Sequence, residues 1–266
     1  MRKIIATDYD GTLNQGGIQP HVVEAIERFR AEGNLFGVVT GRDVGGSYDV
    51  FAREGKFPFD FVLPFNGALA LDAQGKKIYS MPVRGDQPYG DTTLAKALVK
   101  RIWELTGFYC GIAFENWRMD IHPDYPDGGK IKWTHLTPFG DLDRDVFGKM
   151  DEFCQLNTIC ENEELAGKVT AQLQAEFGDY VNPLQNGICI DIPVCGLDKG
   201  TGVARYAAAV GVREADIWTA GDNYNDLAML ERFHGCAMTG GVQAAKDAAE
   251  FVCRDIADVV ELVMGK

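Results

Sequence analysis

The chain has 266 residues, of which 46% are hydrophobic and 24% charged, so it can bury one large core or two smaller ones. This composition argues against a largely disordered protein. The formal net charge of −13 and the absence of any run of five or six basic residues argue against a nucleic-acid-binding protein.

The first third of the chain alternates segments with strand and helix patterns. An apolar run at residues 3–7 predicts a first strand, and Pro20 opens an amphipathic helix that ends at Gly33. Two further apolar segments, 35–40 and 61–65, predict the next strands. Strands that alternate with helices of about ten residues are typical of a parallel sheet covered on both faces.

The middle of the chain differs in composition and predicts a second domain inserted into the first. Residues 82–186 contain most of the tryptophans. Helical patterns cover residues 91–106 and 143–157, and a strand-like segment lies around 109–116. We therefore predict a core domain made of residues 1–81 and 187–266, with residues 82–186 inserted between its two parts.

The last third returns to the alternating pattern. Its predicted strands are 187–192, 216–220, 235–238 and 251–253. Its predicted helices are 199–210, 225–233, 243–250 and 256–264. Together with the first third, these elements predict an α/β fold with a Rossmann-like parallel sheet.

The sharpest feature of the sequence is the segment Asp-Tyr-Asp-Gly-Thr-Leu at residues 8–13, directly after the first predicted strand. Side chains two residues apart in an extended segment point to the same side, so Asp8 and Asp10 can both face the carboxyl edge of the sheet. Open α/β folds bind ligands at this edge. Two neighbouring carboxylates repel each other unless a cation or a shared proton neutralises them, and Mg²⁺ suits such oxygen ligands.

Further polar residues follow predicted strands or open predicted helices. Thr40 ends a strand, where its hydroxyl and the next backbone N–H groups can donate hydrogen bonds to phosphate oxygens. Lys199 opens a helix and supplies a positive charge for phosphate and for Asp8. Asp222 follows a strand and adds a carboxylate at the same edge. Asp226 lies four residues later, either as a helix cap or as part of the site.

These segments resemble, in order, the four signature motifs of the haloacid dehalogenase (HAD) superfamily, most of whose members transfer phosphoryl groups. The motifs are residues 8–13, Thr40-Gly41-Arg42, Lys199 and the run Gly-Asp-Asn-Tyr-Asn-Asp at 221–226. The segments Phe-Asn-Gly-Ala at 65–68 and Asp-Ile-Pro at 191–193 resemble landmarks of the Cof-like (type IIB) subfamily. The resemblance implies a HAD core with an inserted α/β cap domain of type C2 at residues 82–186.

The resemblance also implies a Mg²⁺-dependent phosphatase that forms an aspartyl-phosphate. Asp8 is then the nucleophile, and Asp10 protonates the leaving alcohol and deprotonates the attacking water. The implied metal ligands are the Asp8 carboxylate, the backbone carbonyl of Asp10, and Asp222. The residues implied to bind phosphate are Thr40, Gly41, Lys199 and Asn225. The residues expected to support the site are Asp226, Asn66 and Arg42.

Two alternatives stay open on this evidence. A phosphomutase of the same superfamily would keep all four motifs and return the phosphate to its substrate. A non-catalytic metabolite-binding protein with the same fold is the other alternative, although binding alone needs no nucleophile.

The expected partner is a small phosphorylated metabolite such as a sugar phosphate, and the protein is expected to be a monomer or a homodimer. The 7 cysteines are an odd number without a CxxC pair, which predicts reduced thiols. No segment has the pattern of a signal peptide or of a membrane span, so we expect a cytoplasmic protein without a membrane partner.

Overall fold

The computed structural model describes residues 2–43, 59–107, 110–115, 118–121 and 150–265. The chain divides into two compact units, each with its own sheet. The first unit consists of Met1–Arg42, Gly46–Tyr79 and Leu197–Lys266, and the second of Asp43–Gly45 and Ser80–Gly196. Within the described residues, no helix is both long and apolar enough to cross a membrane.

An eight-stranded sheet forms the centre of the first unit. The order across the sheet is Phe251–Cys253, His234–Met238, Ile217–Gly221, Ile4–Thr7, Leu35–Val39, Phe61–Leu63, Leu69–Asp72 and Lys77–Ser80. The first six strands in this order are parallel, and Phe61–Leu63 pairs antiparallel with Leu69–Asp72. The predicted α/β core with a parallel sheet is therefore confirmed, with an antiparallel addition at one edge.

Helices cover both faces of this sheet. In the part of this unit that the structure describes, the α-helices are Pro20–Ala31, Lys199–Val210, Leu227–Arg232, Gln243–Ala248 and Ile256–Gly265, with 3₁₀ helices at Phe65–Gly67, Glu214–Asp216 and Tyr224–Asp226. Residues of the first and last α-helices share a core with Ile5, and residues of Lys199–Val210 share another with Ile4 and Ala6. Adjacent residues of the first strand thus enter opposite cores, which explains its continuous apolar sequence.

The described residues of the second unit form a five-stranded antiparallel sheet and two long helices. The order across the sheet is Arg118–Ile121, Cys110–Ala113, Gln155–Ile159, Cys189–Pro193 and Leu184–Asn186. Two small pairs accompany it, Val83–Arg84 with Glu152–Phe153 and Pro88–Tyr89 with Thr92–Thr93. The helix Leu94–Thr106 confirms the one predicted at 91–106.

One predicted boundary differs from the structure. The prediction assigned residues 187–196 to the core domain, whereas the strand Cys189–Pro193 pairs with strands of the second unit on both sides. Its residues Ile190 and Ile192 are buried in the apolar core of that unit. The second unit therefore extends to Gly196, because the alternation of a strand reveals its buried face but not the sheet that it joins.

The helix predicted at residues 143–157 is wrong over its second half. Residues 152–153 and 155–157 belong to the strands Glu152–Phe153 and Gln155–Ile159, while residues 143–149 lie outside the described part of the chain. Gln155–Ile159 has hydrogen-bonded neighbours on both sides. Pairing on both edges overrides the local helical preference of this segment.

A 15-residue helix, Glu163–Phe177, is missing from the sequence predictions. Its start carries a recognisable signal, because the Asn162 side chain accepts a hydrogen bond from the backbone N–H of Leu165 at 2.9 Å. Two acidic residues in the first turn, Glu163 and Glu164, favour the helix dipole.

Candidate active site

Three parallel strands of the first unit end at the same level. Thr7 pairs with Val38 on one side and with Ala220 on the other. The backbone N–H of Asp8 continues the ladder by donating to the carbonyl of Ala220 at 2.8 Å. The residues that follow these strands therefore meet at the carboxyl edge of the sheet, where open α/β folds bind ligands.

Lys199 connects two carboxylates at this edge. Its Nζ atom lies 2.6 Å from Oδ1 of Asp8 and 2.6 Å from Oδ1 of Asp226, and its side chain is 0% exposed. The helix that carries Lys199 is capped by Asp198, whose carboxylate accepts a hydrogen bond from the backbone N–H of Thr201 at 2.7 Å. The cap fixes the first turn of the helix and therefore the position of the Lys199 Cα atom, from which the side chain extends.

The same helix packs closely against the segment Phe65–Gly67 of this chain. A Cβ atom on Gly67 would lie 2.7 Å from the Cα atom of Gly202, so only glycine permits this approach. Phe65 and Asn66, which precede Gly67, have positive φ values of 54° and 56°, a conformation that non-glycine residues seldom adopt. The backbone N–H of Asn66 donates to the carbonyl of Thr40 at 2.8 Å. These contacts tie the end of the second strand to the segment beside the Lys199 helix.

Asp226 both pairs with Lys199 and organises the loop before it. Its Oδ2 atom accepts hydrogen bonds from the backbone N–H groups of Asp222 at 2.8 Å and Asn223 at 3.0 Å. Asp226 therefore takes part in the capping box of the 3₁₀ helix Tyr224–Asp226 and pairs with Lys199, but it makes no side-chain cap on the α-helix that follows. Its role in function stays a prediction. Because both of its oxygens accept hydrogen bonds from protein groups, Asp226 has less capacity left for a ligand than its neighbours.

Asp222 is held by the segment that follows Asp8. The Thr12 hydroxyl donates to Oδ1 of Asp222 at 2.6 Å. Gly11 has a φ of +82°, and a Cβ atom at this position would lie 2.5 Å from Oδ2 of Asp222. Gly11 is thus required for both its backbone conformation and the close packing of the Asp222 carboxylate. Sequence reasoning missed the role of Thr12, because the pattern places it on a turn without indicating which residue it meets.

The cluster contains more negative than positive charge. Asp8, Asp222 and Asp226 each offer an oxygen, and the three oxygens lie within 4.8 Å of one another. Burial raises the pKa of the Asp8 carboxyl to about 7; Lys199 opposes this shift, and the Asp226 and Asp222 carboxylates add to it. Burial lowers the pKa of Lys199, but the two carboxylates outweigh it, so its pKa is raised and the ammonium stays charged. One ammonium cannot balance three carboxylates, and a dication with hard oxygen ligands fits this donor set.

The carboxylate of Asp10 makes none of these hydrogen bonds and instead pairs with Arg42. The guanidinium donates from Nε to Oδ2 at 2.7 Å and from Nη2 to Oδ1 at 2.5 Å. The guanidinium also lies over the buried ring of Tyr9, at 5.1 Å from the ring centroid. Sequence reasoning expected Arg42 to support the site and did not connect it with Asp10, since the two residues are 32 positions apart.

Two of the other predicted phosphate-binding residues are buried at or near the same strand ends, and the third, Gly41, is half-buried. Thr40 is buried, and its Oγ1 atom accepts a hydrogen bond from the backbone N–H of Arg42 at 3.2 Å. Asn225 is also buried, on the 3₁₀ helix between Asp222 and the next α-helix. Gly41 follows Thr40 directly. The roles of Thr40, Gly41 and Asn225 toward phosphate stay predictions.

The sequence is similar to those of known proteins. A family model described as haloacid dehalogenase-like hydrolase matches residues 5–260. The chain is 26% identical to YxeH of Bacillus subtilis (strain 168) over 265 residues, which cover 96% of this chain and 93% of YxeH. It is 26% identical over 259 residues to another protein of the same organism, 5-amino-6-(5-phospho-D-ribitylamino)uracil phosphatase YitU, covering 92% of this chain and 90% of YitU.

The fold is also similar to a solved structure, the HAD subclass IIB sugar phosphatase BT4131. The TM-score is 0.72, the sequence identity 19%, and the alignment covers 99% of this chain and 97% of that one. At this low identity, the similarity establishes the shared fold.

Proposed function

We infer the function of this chain from the premise that it belongs to the haloacid dehalogenase-like hydrolases and is a Cof-like phosphatase of that superfamily. We propose that it is a Mg²⁺-dependent enzyme that hydrolyses a small phosphate monoester through an aspartyl-phosphate on Asp8. The observation that carries the proposal is the buried contact of Asp8 with Lys199, beside the carboxylates of Asp222 and Asp226.

The proposed metal ligands are the carboxylates of Asp8 and Asp222 with the backbone carbonyl of Asp10. Asp226 supports them, because both of its oxygens already accept hydrogen bonds from Lys199 and from backbone N–H groups. Thr12 fixes the Asp222 carboxylate, which is how outer hydrogen bonds commonly orient metal ligands. Bound Mg²⁺ would neutralise negative charge on the phosphate and on the carboxylates.

In the first proposed step, an Asp8 oxygen attacks phosphorus and the bond from phosphorus to the leaving oxygen breaks. The leaving oxygen takes a proton from the Asp10 carboxyl. In the second step, a water oxygen attacks phosphorus, Asp10 accepts its proton, and the bond from phosphorus to Asp8 breaks to release inorganic phosphate. Lys199, Thr40 and the adjacent backbone N–H groups would stabilise the charge on the phosphate oxygens in both steps.

We propose a sugar phosphate, or a phosphate ester of a similar polyhydroxylated compound, as the substrate. Two of the similar proteins support this class: BT4131 is named a sugar phosphatase, and the compound in the name of YitU carries its phosphate on a ribityl chain. We further propose that the second unit, Ser80–Gly196, acts as the cap that selects the substrate.

Metal removal tests the proposed function. The protein is assayed with 4-nitrophenyl phosphate and with a panel of sugar phosphates, in Mg²⁺ and after treatment with EDTA. We expect Mg²⁺-dependent release of inorganic phosphate that falls about 10²-fold or more in EDTA and returns when Mg²⁺ is restored. Isomerised sugar phosphate with little free phosphate would indicate the phosphomutase, and no turnover of any ester would indicate the non-catalytic binding protein.

The raised pKa of Asp8 predicts that Mg²⁺ binding releases protons. Below its pKa of about 7, the Asp8 carboxyl of the metal-free protein holds a proton that a bound cation must displace. We expect about one proton released per Mg²⁺ at pH 6 and about none at pH 8.5. Calorimetric titrations in buffers with different ionisation enthalpies measure this number, and equal proton release at both pH values would contradict the prediction.

A further inference from the structure

Arg42 and Asp10 form an ion pair with two hydrogen bonds, which fixes the orientation of the Asp10 carboxylate. Both oxygens of the Asp10 carboxylate accept hydrogen bonds, from Nε at 2.7 Å and from Nη2 at 2.5 Å. A planar guanidinium that binds in this way fixes the orientation of a carboxylate as well as its position, which the point charge of a lysine does not.

Arg42 is itself held by its surroundings. Its guanidinium lies over the ring of Tyr9, a fully buried residue between Asp8 and Asp10. Its backbone N–H donates to Thr40 Oγ1 at 3.2 Å, and its carbonyl accepts from the backbone N–H of Phe65 at 3.0 Å. Arg42 is therefore anchored to the end of its own strand and to the segment that carries both aspartates.

The side chains of the two aspartates differ in solvent exposure, which is consistent with an in-line reaction. The side chain of Asp8 is 10% exposed and that of Asp10 is 56% exposed. In an in-line displacement, the attacking and leaving oxygens lie on opposite sides of phosphorus. An ester that meets the buried Asp8 from the solvent side directs its leaving oxygen outward, and Asp10 is the more exposed of the two aspartates.

We propose that Arg42 is the positioning residue of Asp10 and holds its carboxyl group where it can protonate the leaving oxygen. This inference rests on the proposed function. In the step concerned, Asp10 carries its proton on a lone pair that Arg42 does not use. The bond from Asp8 to phosphorus forms, the electron pair of the broken bond goes to the leaving oxygen, and that oxygen takes the proton of Asp10. Arg42 neither gains nor loses a proton.

The dependence of the rate on the leaving group tests this role. For each ester, kcat/KM reports phosphoryl transfer to Asp8, even where hydrolysis of the aspartyl-phosphate limits kcat. A dinitrophenolate leaves without a proton, whereas a phenol leaves far more easily with one. We expect Arg42→Met to lower kcat/KM about 10²-fold for phenyl phosphate and less than about 3-fold for 2,4-dinitrophenyl phosphate. Arg42→Lys should restore only part of the loss, because lysine cannot form the two-point contact.

Two further variants test whether Arg42 acts through Asp10. In an Asp10→Ala background, Arg42→Met should cause no additional loss with phenyl phosphate, because there is no carboxyl left to position. Arg254→Met removes a comparable two-point contact, with Asp258 at 2.9 and 2.7 Å, and should leave the leaving-group dependence unchanged.

The failures of the two proposals are distinguishable. A similar loss for every ester would show that Arg42 acts on the phosphate group that all of them share, and no loss for any ester would show that Asp10 needs no support; either overturns this inference alone. A wild-type protein that hydrolyses none of the esters in Mg²⁺ overturns the proposed function as well.

Discussion

Asp8→Asn should lower kcat/KM for phosphate esters by about 10⁴-fold or more while the protein stays folded. The amide has nearly the same size as the carboxylate, and its oxygen can accept the hydrogen bond from Lys199 that Asp8 Oδ1 accepts at 2.6 Å. The variant also removes one negative charge from a buried cluster that has an excess of them. We therefore expect a metal-free thermal midpoint at pH 8 that is no lower than that of the wild type.

Two measurements separate loss of the nucleophile from general damage. After a rapid acid quench with substrate, mass spectrometry should detect a phosphoryl group on the wild-type protein and none on Asp8→Asn. As a control, Asp216→Asn changes an aspartate that pairs with Arg213 on the surface of the same unit, and it should leave turnover unchanged. Activity within about tenfold of the wild type in Asp8→Asn would contradict the assignment of the nucleophile.

The positions of Asp8, Asp222 and Lys199 could be predicted because they depend on a simple topological rule. Residues that directly follow parallel strands meet at one edge of the sheet, whatever the details of packing. Asp8 and Asp222 follow such strands, and the register of the sheet brings them to the same level. The position of Lys199 does not follow from this rule, because a lysine that opens a helix is normally exposed to solvent. Only the order of the family motifs indicated that Lys199 lies in the site.

Contacts between distant segments could not be predicted in the same way. The hydrogen bond from Thr12 to Asp222 joins residues 210 positions apart, and no local pattern encodes it. The pairing of the strand Cys189–Pro193 is a second contact that local pattern did not predict. The alternation of this strand identifies a buried face, but the sheet that it joins depends on partner strands elsewhere in the chain. Local periodicity therefore specifies the elements and the edge of the sheet where the candidate site lies, but not the contacts that orient its side chains.

Lys199→Met should destabilise the metal-free protein by about 3–5 kcal/mol at pH 8. Lys199 is fully buried, and it donates hydrogen bonds to both Asp8 and Asp226. Methionine fills a similar volume but leaves these carboxylates without their ammonium partner in a site that solvent does not screen. Urea unfolding of both proteins in EDTA measures the difference, and kcat/KM should fall by about 10²- to 10³-fold as well, since the phosphate loses a positive charge.

The dependence of this destabilisation on pH identifies its electrostatic origin. In the wild type, Asp8 already has a pKa raised above its value of 3.8 in the unfolded chain, and loss of Lys199 raises it further. A raised carboxyl pKa means that the folded state holds a proton more tightly than the unfolded state, so its stability is greatest at low pH and declines as pH rises through the folded-state pKa. The difference between variant and wild type should therefore be smaller at pH 5 than at pH 8.

A second variant tests whether the unpaired carboxylates are the cause. Lys199→Met combined with Asp226→Asn should recover part of the lost stability, because the amide oxygen can still accept the backbone N–H groups of Asp222 and Asn223 without carrying a charge. Equal destabilisation at pH 5 and pH 8, together with no recovery in the double variant, would instead assign the effect to packing. In that case the buried ammonium would not be what allows these carboxylates to lie together at the edge of the sheet.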